Sequence, residues 1–407
     1  MSSILIHIIH LSMNRPSFVD AETAAGLLGV SRATLYAYVS RGMIRTAPAE
    51  DDPRRRLYST HDIEGFRKRK SVGRNPGAIA AQTLDWGLPV LESALTLIDN
   101  GRLFYRGQDA TMHAADANLE DTARLLWGCG ETDPFAAADV PAAWDTDLLA
   151  RAAALPLTER CQMLLPFITE GQATAWRRRS DRLWPGAAQL IRAIAAAATA
   201  SVPTSRPIHV HLADIWHLDA AGMDLIRRAL VLQADHELNA SAFTVRVVAS
   251  TGASLGACLN AGLSALSGPL HGGTTSLVEV LFDDIAAEGD AATVIERRLR
   301  RGDGVPGFDH PLYPSGDPRA AALLPRLPAN ADRDALVSHM AAMTGGRPNI
   351  DLALVALRRA LGLPRGSALA LFAIGRSVGW IAHALEQHGD DKLIRPRARY
   401  TGATVQR

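Results

Sequence analysis

From Asn118 to Ser264 the chain is a succession of alanine- and leucine-rich stretches in which apolar residues recur at the spacing of a helix. Ala187 to Ala200 and Asp219 to Leu232 are two examples. Runs that alternate Val, Ile or Thr with polar residues are scarce, and strands do not alternate with helices as they do around a parallel sheet. No sequence repeat with a period of roughly 20 to 50 residues is visible. The pattern therefore predicts an all-α core.

The chain is 407 residues long, more than a single hydrophobic core usually organises, so we expect two or more domains. Its three cysteines, Cys129, Cys161 and Cys258, are far apart and lack metal-ligand spacing, which fits a reducing, cytoplasmic setting. The apolar stretch Ser3 to Met13 has no basic flank and is far shorter than the ~20 residues that a membrane helix needs. We expect no membrane segment and interpret residues 1–17 as a tail, with Met13 as a natural alternative start.

Residues 18–70 have the pattern of a small separate module. Asp20 can cap a helix over 21–28, and Ser31 can cap a second helix over 32–40 after a tight turn. This spacing is typical of a helix-turn-helix. Arginine-rich residues 54–59 follow, and we interpret them as a wing strand.

Charge separates this module from the rest of the chain. Residues 1–77 hold 12 Lys+Arg against 7 Asp+Glu, a balance of +5, whereas the remainder holds 31 against 35. A basic helix-turn-helix is the electrostatic signature of duplex DNA binding, with the second helix in the major groove. The side chains that we expect to face DNA are Arg32, Thr34, Tyr36, Arg41, Arg54, Arg55 and Arg56. The module resembles the winged helix-turn-helix of MerR-type regulators; the alternative is a solvated charged face that serves protein contacts only. Residues 71–77 have the composition of a linker.

One imidazole, His271, stands between glycines in the stretch Gly268–Gly273, directly ahead of a strong helix pattern. Glycines permit close backbone approach, and the first turn of a helix is electropositive, so we expect this histidine to stay neutral at pH 7. A neutral imidazole can donate a hydrogen bond to an enolising carbonyl. Taken alone, the hexapeptide is equally compatible with a glycine-rich turn and an incidental histidine.

Three further motifs follow His271 along the chain. They are Gly307–Tyr313 with Asp317–Arg319, Pro348–Asp351, and Gly375–His383 with Arg395–Arg397. In this order and spacing the motifs resemble those of the citrate synthase family, over roughly residues 80 to 407. The resemblance implies a two-domain helical fold, with a large domain at 78–267 and 366–407, a small domain at 268–365, and a homodimer.

The resemblance also implies an activity, the condensation of acetyl-CoA with oxaloacetate and water to give citrate and CoA. This acyl transfer uses acetyl-CoA as co-substrate and no permanently bound cofactor. It needs a base for the methyl group, a neutral donor for the enol oxygen, a group that polarises the keto carbon, and cations for two carboxylates. By resemblance these roles fall to Asp351, His271 and His310, in that order, and the carboxylates to His236, Arg319, Arg376 and Arg395. In the family the last arginine crosses into the neighbouring subunit's site.

Two of these roles have support that does not depend on the family. Asp317 can cap a helix with Pro318 at its first position, which places Arg319 in an electropositive first turn that calls for a nearby anion. Asn349 can cap the helix that holds Asp351, which favours an ionised carboxylate there.

Two positions depart from the family pattern. Thr274-Thr275 stand where the family usually has Ala-Asn, and Asp309 stands where it usually has Gly. A carboxylate beside His310 repels a dianionic substrate and raises the pKa of the imidazole unless its side chain turns away. We therefore expect Asp309→Gly to lower the KM for oxaloacetate.

Two other functions are compatible with the sequence. One is a 2-methylcitrate synthase that uses propionyl-CoA, and the other is a DNA-binding regulator whose synthase-like domain senses oxaloacetate or acyl-CoA. His209 and His211, with Asp214 and His217 nearby, lack a further ligand pattern, so we predict no metal site.

Overall fold

In the computed structural model the described residues are 18–40, 44, 46–49, 52, 55–60, 62–63, 90–136, 138–169, 179–390, 392–398 and 400–403. The chain divides into two compact units, Met1–Glu92 and Ser93–Arg407. The predicted tail and linker lie outside the described residues, and the predicted domain boundaries stay predictions.

The first unit contains two short helices and a small antiparallel sheet. Its elements are β1 (Phe18–Val19), α1 (Ala21–Leu28), α2 (Arg32–Ser40), β2 (Thr46–Pro48) and β3 (Arg56–Ser59), with strand order β1-β3-β2. Both helix starts are as predicted: Asp20 accepts a hydrogen bond from the Thr23 N–H at 2.8 Å, and the Ser31 hydroxyl accepts one from the Thr34 N–H at 3.3 Å. Gly29, at φ +59°, ends α1 in the left-handed conformation that favours glycine.

The second unit begins with short strands and continues as helices. The strands are β4 (Thr96–Asp99), β5 (Arg102–Tyr105) and β6 (Gln108–Asp109). The helices are α3 (Ala110–Asp116), α4 (Leu119–Trp127), α5 (Thr146–Ala153), α6 (Leu157–Thr169), α7 (Ser180–Ala198), α8 (Ile208–Ile215), α9 (Ala220–Gln233), α10 (Ala240–Ala249), α11 (Leu255–Leu266), α12 (Thr274–Glu288), α13 (Ala291–Arg300), α14 (Pro318–Leu323), α15 (Ala331–Thr344), α16 (Ile350–Ala360) and α17 (Ser367–Asp390), with a 3-10 turn at Leu324–Arg326. The fold is mostly helical, as predicted.

The prediction of an all-α core was wrong for residues 96–109, which form a three-stranded antiparallel meander. Two tight turns make it: Asn100 and Gly101 at φ +49° and +75°, then Arg106 and Gly107 at φ +45° and +82°. Two successive residues at positive φ give a turn whose twist matches that of paired strands. The meander buries Tyr105, whose hydroxyl donates to the carbonyls at the end of α9.

Helix α17 is the centre of the second unit. It packs against α4, α7, α9, α10, α11 and α16, and it is buried on every face along most of its length. By length and composition alone it is apolar enough to cross a membrane, but 94% of its most apolar window is buried inside the protein. A helix with no polar face belongs either in a core or in a membrane, and the packing here accounts for the composition.

Two glycines let α17 approach the end of α9. A Cβ at Gly375 would lie 2.7 Å from the carbonyl oxygen of Leu230, closer than two such atoms can pack. The Gly379 N–H donates to the carbonyl of Ala234 at 2.9 Å, so the two backbones are in direct contact. This contact fixes the position of Arg376, which lies between the two glycines, relative to the segment that follows α9.

Candidate active site

The loop after α13 carries His310 on a turn that fixes its hydrogen positions. The Leu312 N–H donates to Nδ1 of His310 at 3.2 Å, so a neutral ring carries its hydrogen on Nε2. Burial, with Arg319 nearby, lowers the pKa of His310 to about 4. At neutral pH the ring is thus an uncharged donor through Nε2, as polarising a keto group requires.

His236 lies between α9 and α10, close to the same loop. Its Nε2 is 2.9 Å from the hydroxyl of Tyr313, and its ring centroid is 5.1 Å from that of His310. The side chain is buried, and burial together with Arg319 and Arg376 places the pKa of His236 well below its usual value. His236 is therefore a neutral hydrogen-bonding group.

Asp317 caps α14 as predicted, and Pro318 takes its first position. Arg319 was expected to have an anion nearby, and its binding of a substrate carboxylate stays a prediction. The Asp317 carboxylate accepts from Nε and Nη2 of Arg319 at 3.0 and 2.8 Å, so the cap itself supplies the anion. Burial alone would lower the pKa of Arg319, and this carboxylate more than reverses the effect. Nη1 has no hydrogen-bond partner within the described part of the chain, so one N–H edge is left for a ligand.

Arg376 is a buried cation without an anionic partner. It is 2% exposed, its Nε donates to the carbonyl of Gln233 at 3.0 Å, and its guanidinium lies 4.7 Å from the ring centroid of Phe372. Among the described residues no carboxylate lies within ion-pair distance, and neither Nη has a hydrogen-bond partner. Burial lowers the pKa of Arg376 to about 10, so it stays charged at neutral pH. An unpaired buried charge is costly, which indicates that an anion binds here.

His271 is oriented by hydrogen bonds that connect it to Ser241 and Trp380. Its Nε2 is 2.8 Å from the hydroxyl oxygen of Ser241. The same oxygen accepts a hydrogen bond from the indole N–H of Trp380 at 3.0 Å. Burial, and then Arg376, lowers the pKa of His271 to about 4, which agrees with the expected neutral ring. Thr274-Thr275, which replace the family's usual Ala-Asn, fit the local structure. Thr275 is buried, and its hydroxyl donates to the carbonyl of Gly272 at 3.1 Å.

Asp351 is the second residue of α16, and Asn349 caps this helix as predicted. The Asn349 side chain accepts from the Asp351 N–H at 3.0 Å. The expectation that the helix end favours the ionised form was wrong in its net effect, since burial raises the pKa of Asp351 to about 6. At pH 7 this carboxyl is still mostly ionised, yet it is a far stronger base than an exposed aspartate.

The carboxylate of Asp309 is turned away from His310, the case in which the sequence predicted no increase in the pKa of the imidazole. It is exposed, has φ +57°, and its Oδ1 accepts from the Arg347 N–H at 3.0 Å. The pKa of His310 responds to the charges of Arg319, Asp317 and Arg376. The left-handed backbone explains why glycine suits the position.

Six of the seven predicted substrate-site residues thus come together, and Arg395 does not. The electrostatic environment of His236 includes Arg319, Arg376, His310 and His271, and Asp351 senses both arginines. Arg395 is exposed on the segment after α17, where the Ile394 N–H donates to the hydroxyl of Ser250 at 3.1 Å.

Sequence reasoning missed other polar groups of the site. Ser241 and Trp380 form hydrogen bonds behind His271, and Tyr313 contacts His236. Trp380 and Tyr313 lie within motifs noted above, whereas Ser241 does not. Ser241 stands five residues after His236 and two after Asn239, a helix cap, and these positions are a signal that could have identified it. Within the described ranges no cluster of three or more His, Cys, Asp or Glu side chains could hold a metal ion.

The fold and the site define a mostly helical protein in which two buried arginines lie near three neutral imidazoles and a carboxyl of raised pKa. Residues 83–397 match the family model described as citrate synthase, C-terminal domain. The chain belongs to the citrate synthase family.

Relatives of known sequence agree with this assignment. The chain is 35% identical over 195 residues to citrate synthase 2 of Bacillus subtilis, covering 46% of this chain and 52% of that protein. It is 34% identical over 186 residues to 2-methylcitrate synthase of Shewanella oneidensis, covering 43% and 50% of the two chains. The chain spans about half the length of these relatives in the matched regions.

Solved structures extend the likeness over most of the second unit. Citrate synthase from Thermotoga maritima superposes with a TM-score of 0.65 at 26% identity, covering 79% of this chain and 96% of that one. The fold is also that of citrate synthase from Thermoplasma acidophilum, solved as a ternary complex with carboxymethyl coenzyme A and oxaloacetate, at a TM-score of 0.65 and 22% identity, covering 79% and 96% of the two chains.

Proposed function

We propose that the protein condenses acetyl-CoA with oxaloacetate and water to give citrate and CoA. The observation that carries this proposal is Arg376, buried and charged, with no anionic partner among the described residues. Together with the open N–H edge of Arg319, it offers two guanidiniums to one small ligand that carries two carboxylates. His236, also buried, adds a neutral hydrogen bond to the same ligand.

Two of the neutral imidazoles and the carboxyl of Asp351 each have a separate role in the reaction. Nε2–H of His310 donates to the keto oxygen of oxaloacetate and makes its carbon electrophilic. Asp351 removes a proton from the thioester methyl while His271 hydrogen-bonds the enol oxygen that forms. The enol carbon bonds to the keto carbon, whose oxygen takes up a proton. Water then cleaves the thioester and releases CoA with its thiol.

Thiol release measures this reaction directly. The full-length protein, acetyl-CoA and oxaloacetate are expected to release thiol in proportion to enzyme, and omitting oxaloacetate is expected to abolish it. Replacing acetyl-CoA with propionyl-CoA distinguishes the 2-methylcitrate reaction, since one of the relatives carries that name. Binding of oxaloacetate without thiol release from either thioester would contradict the enzymatic proposal and favour a metabolite sensor.

We further propose that the first unit is a MerR-type winged helix-turn-helix that binds duplex DNA. Tyr36 on α2 is 53% exposed, and Arg32 on the same helix keeps 59% of its side chain exposed while pairing with Glu22. Arg55 and Arg56, beside and within β3, are exposed as well. Arg41 and Arg54 lie outside the described residues. A compact basic unit that exposes an aromatic and three arginines supports a groove-binding role.

Binding of the full-length protein to its own promoter DNA over a salt series tests this role. The double variant Arg55→Ala/Arg56→Ala is expected to bind more weakly and with a shallower salt slope. Arg300→Ala, which removes an exposed charge from the second unit, is the matched control and is expected to bind like wild type. Equal salt slopes for all three proteins, or no binding at low salt, would leave the unit as a protein-contact module.

Two properties of the whole protein belong to the same proposal. A homodimer would let the exposed Arg395 complete the partner's carboxylate site. The free, buried cysteines fit a cytoplasmic protein.

A further inference from the structure

Tyr313 lies at the centre of the predicted keto-acid site, although the proposed mechanism assigns it no role. Its side chain is 1% exposed. Its ring centroid is 5.5 Å from that of His236 and 5.1 Å from that of His310, and the guanidinium carbon of Arg319 lies 5.7 Å from it. One side chain therefore contacts three of the groups that would surround a single small ligand.

The phenol has one hydrogen-bond partner in the described part of the chain, Nε2 of His236 at 2.9 Å. A buried hydroxyl that only accepted from this ring would leave its own hydrogen without an acceptor, at a cost of about 1 to 3 kcal/mol. Donation from the phenol to Nε2 satisfies both groups. Burial also raises the pKa of Tyr313, so the phenol keeps its hydrogen.

A neutral imidazole that accepts at Nε2 carries its own hydrogen at Nδ1. Nδ1 is then the atom of His236 that can donate to a ligand carboxylate. We propose that Tyr313 is a positioning residue for oxaloacetate, which holds His236 in the Nδ1–H tautomer and orients its ring beside His310 and Arg319. This inference rests on the proposed function, because it takes the ligand from there.

The variant Tyr313→Phe tests the inference, since it keeps the ring against His310 and Arg319 and removes only the hydroxyl. Calorimetric titration with oxaloacetate alone is expected to show a Kd about tenfold higher than wild type, in line with the loss of one hydrogen bond. In thiol release, the KM for oxaloacetate is expected to rise by the same factor while kcat changes less than threefold. Thermal unfolding of the variant shows whether it folds.

A double-mutant cycle separates positioning from general packing. In the His236→Ala background, Tyr313→Phe is expected to change the Kd for oxaloacetate less than twofold, because the group that the hydroxyl positions is gone. A tenfold loss in both backgrounds would overturn the inference. Tyr58→Phe is the control: it also removes the hydroxyl of a buried tyrosine, 3% exposed, but in the first unit, and is expected to leave this Kd unchanged.

Nitrogen-15 NMR of the unliganded wild-type protein gives a measurement that needs no folded variant. Nδ1–H is expected for His236, and a ring with its hydrogen on Nε2 would overturn the inference. Failure of the proposed function is distinguishable, since it would appear as wild-type protein that binds no oxaloacetate. If wild-type protein binds oxaloacetate and Tyr313→Phe binds it equally well, only the positioning role is refuted.

Discussion

Two opposing effects act on the carboxyl of Asp351. The helix start at Asn349 and the charges of Arg319 and Arg376 favour the ionised form, whereas burial disfavours it. Burial prevails and raises the pKa to about 6. The sequence identified the residue and its cap but had the direction of the shift wrong, because burial depends on segments more than thirty residues apart, such as Asp317, which accepts from the Ile350 N–H at 3.1 Å.

The pH dependence of kcat follows from this pKa. A base that acts when ionised loses activity as pH falls through its pKa, so kcat is expected to be constant above pH 7 and to fall about tenfold per unit below pH 6. His271 and His310, with pKa values of about 4, stay neutral over this range and do not interfere. A rate that stays constant down to pH 5 would contradict the role of Asp351.

Asp309 gives a second prediction at this scale, revised from that made on the sequence. Asp309→Gly relieves a positive φ but removes the hydrogen bond to the Arg347 N–H, two effects of about 1 kcal/mol each. The KM for oxaloacetate is expected to stay within about threefold of wild type because the carboxylate is exposed and turned to Arg347. Asp309→Asn removes the charge and keeps the shape, so a large fall in KM in both variants would show that the charge repels substrate after all.

At the scale of elements, helix starts were predictable and the meander was not predicted. Asp20, Ser31, Asp317 and Asn349 cap the helices that the sequence assigned to them, because a cap is a local bond between near neighbours. The signal for the meander was also local. Asn100-Gly101 is a recognised hairpin dipeptide, but strands this short were outweighed by the helical patterns around them.

The contact of α17 with α9 gives a prediction for an element. A Cβ at Gly379 would overlap the carbonyl oxygen of Ala234 and the carboxylate of Asp235, so Gly379→Ala is expected to lower the free energy of unfolding by about 1 to 3 kcal/mol. Gly389→Ala is the control in the same helix, where a Cβ meets nothing within 4 Å and a small gain in stability is expected. Urea unfolding measures both, and equal stability of the two variants would contradict the close contact.

At the scale of the whole molecule, one chain brings together every predicted substrate residue except Arg395. The motifs predicted this assembly because they report residue types and order. The motifs could not show which residues act in a partner subunit's site, because that depends on which side chains stay exposed after the chain has folded. Arg395 is exposed at the end of the described chain, and we expect it to act across a dimer.

Mixing two inactive variants tests this expectation. Asp351→Asn and Arg395→Ala each leave every site of their own homodimer incomplete. If Arg395 serves the partner, a mixed dimer has one intact site, and co-expression in equal amounts is expected to restore about one quarter of the wild-type rate. If Arg395 serves its own chain, no mixed dimer has an intact site and the mixture stays as inactive as the separate variants.

In the proposed reaction the buried arginines bind the keto acid while Asp351 acts on the thioester. Comparing thiol release with oxaloacetate binding in Asp351→Asn tests it most directly. We expect thiol release to fall by about 10²- to 10⁴-fold, the usual contribution of one positioned base, while the calorimetric Kd for oxaloacetate stays within about twofold of wild type. Thiol release close to the wild-type rate, or loss of oxaloacetate binding together with activity, would contradict it.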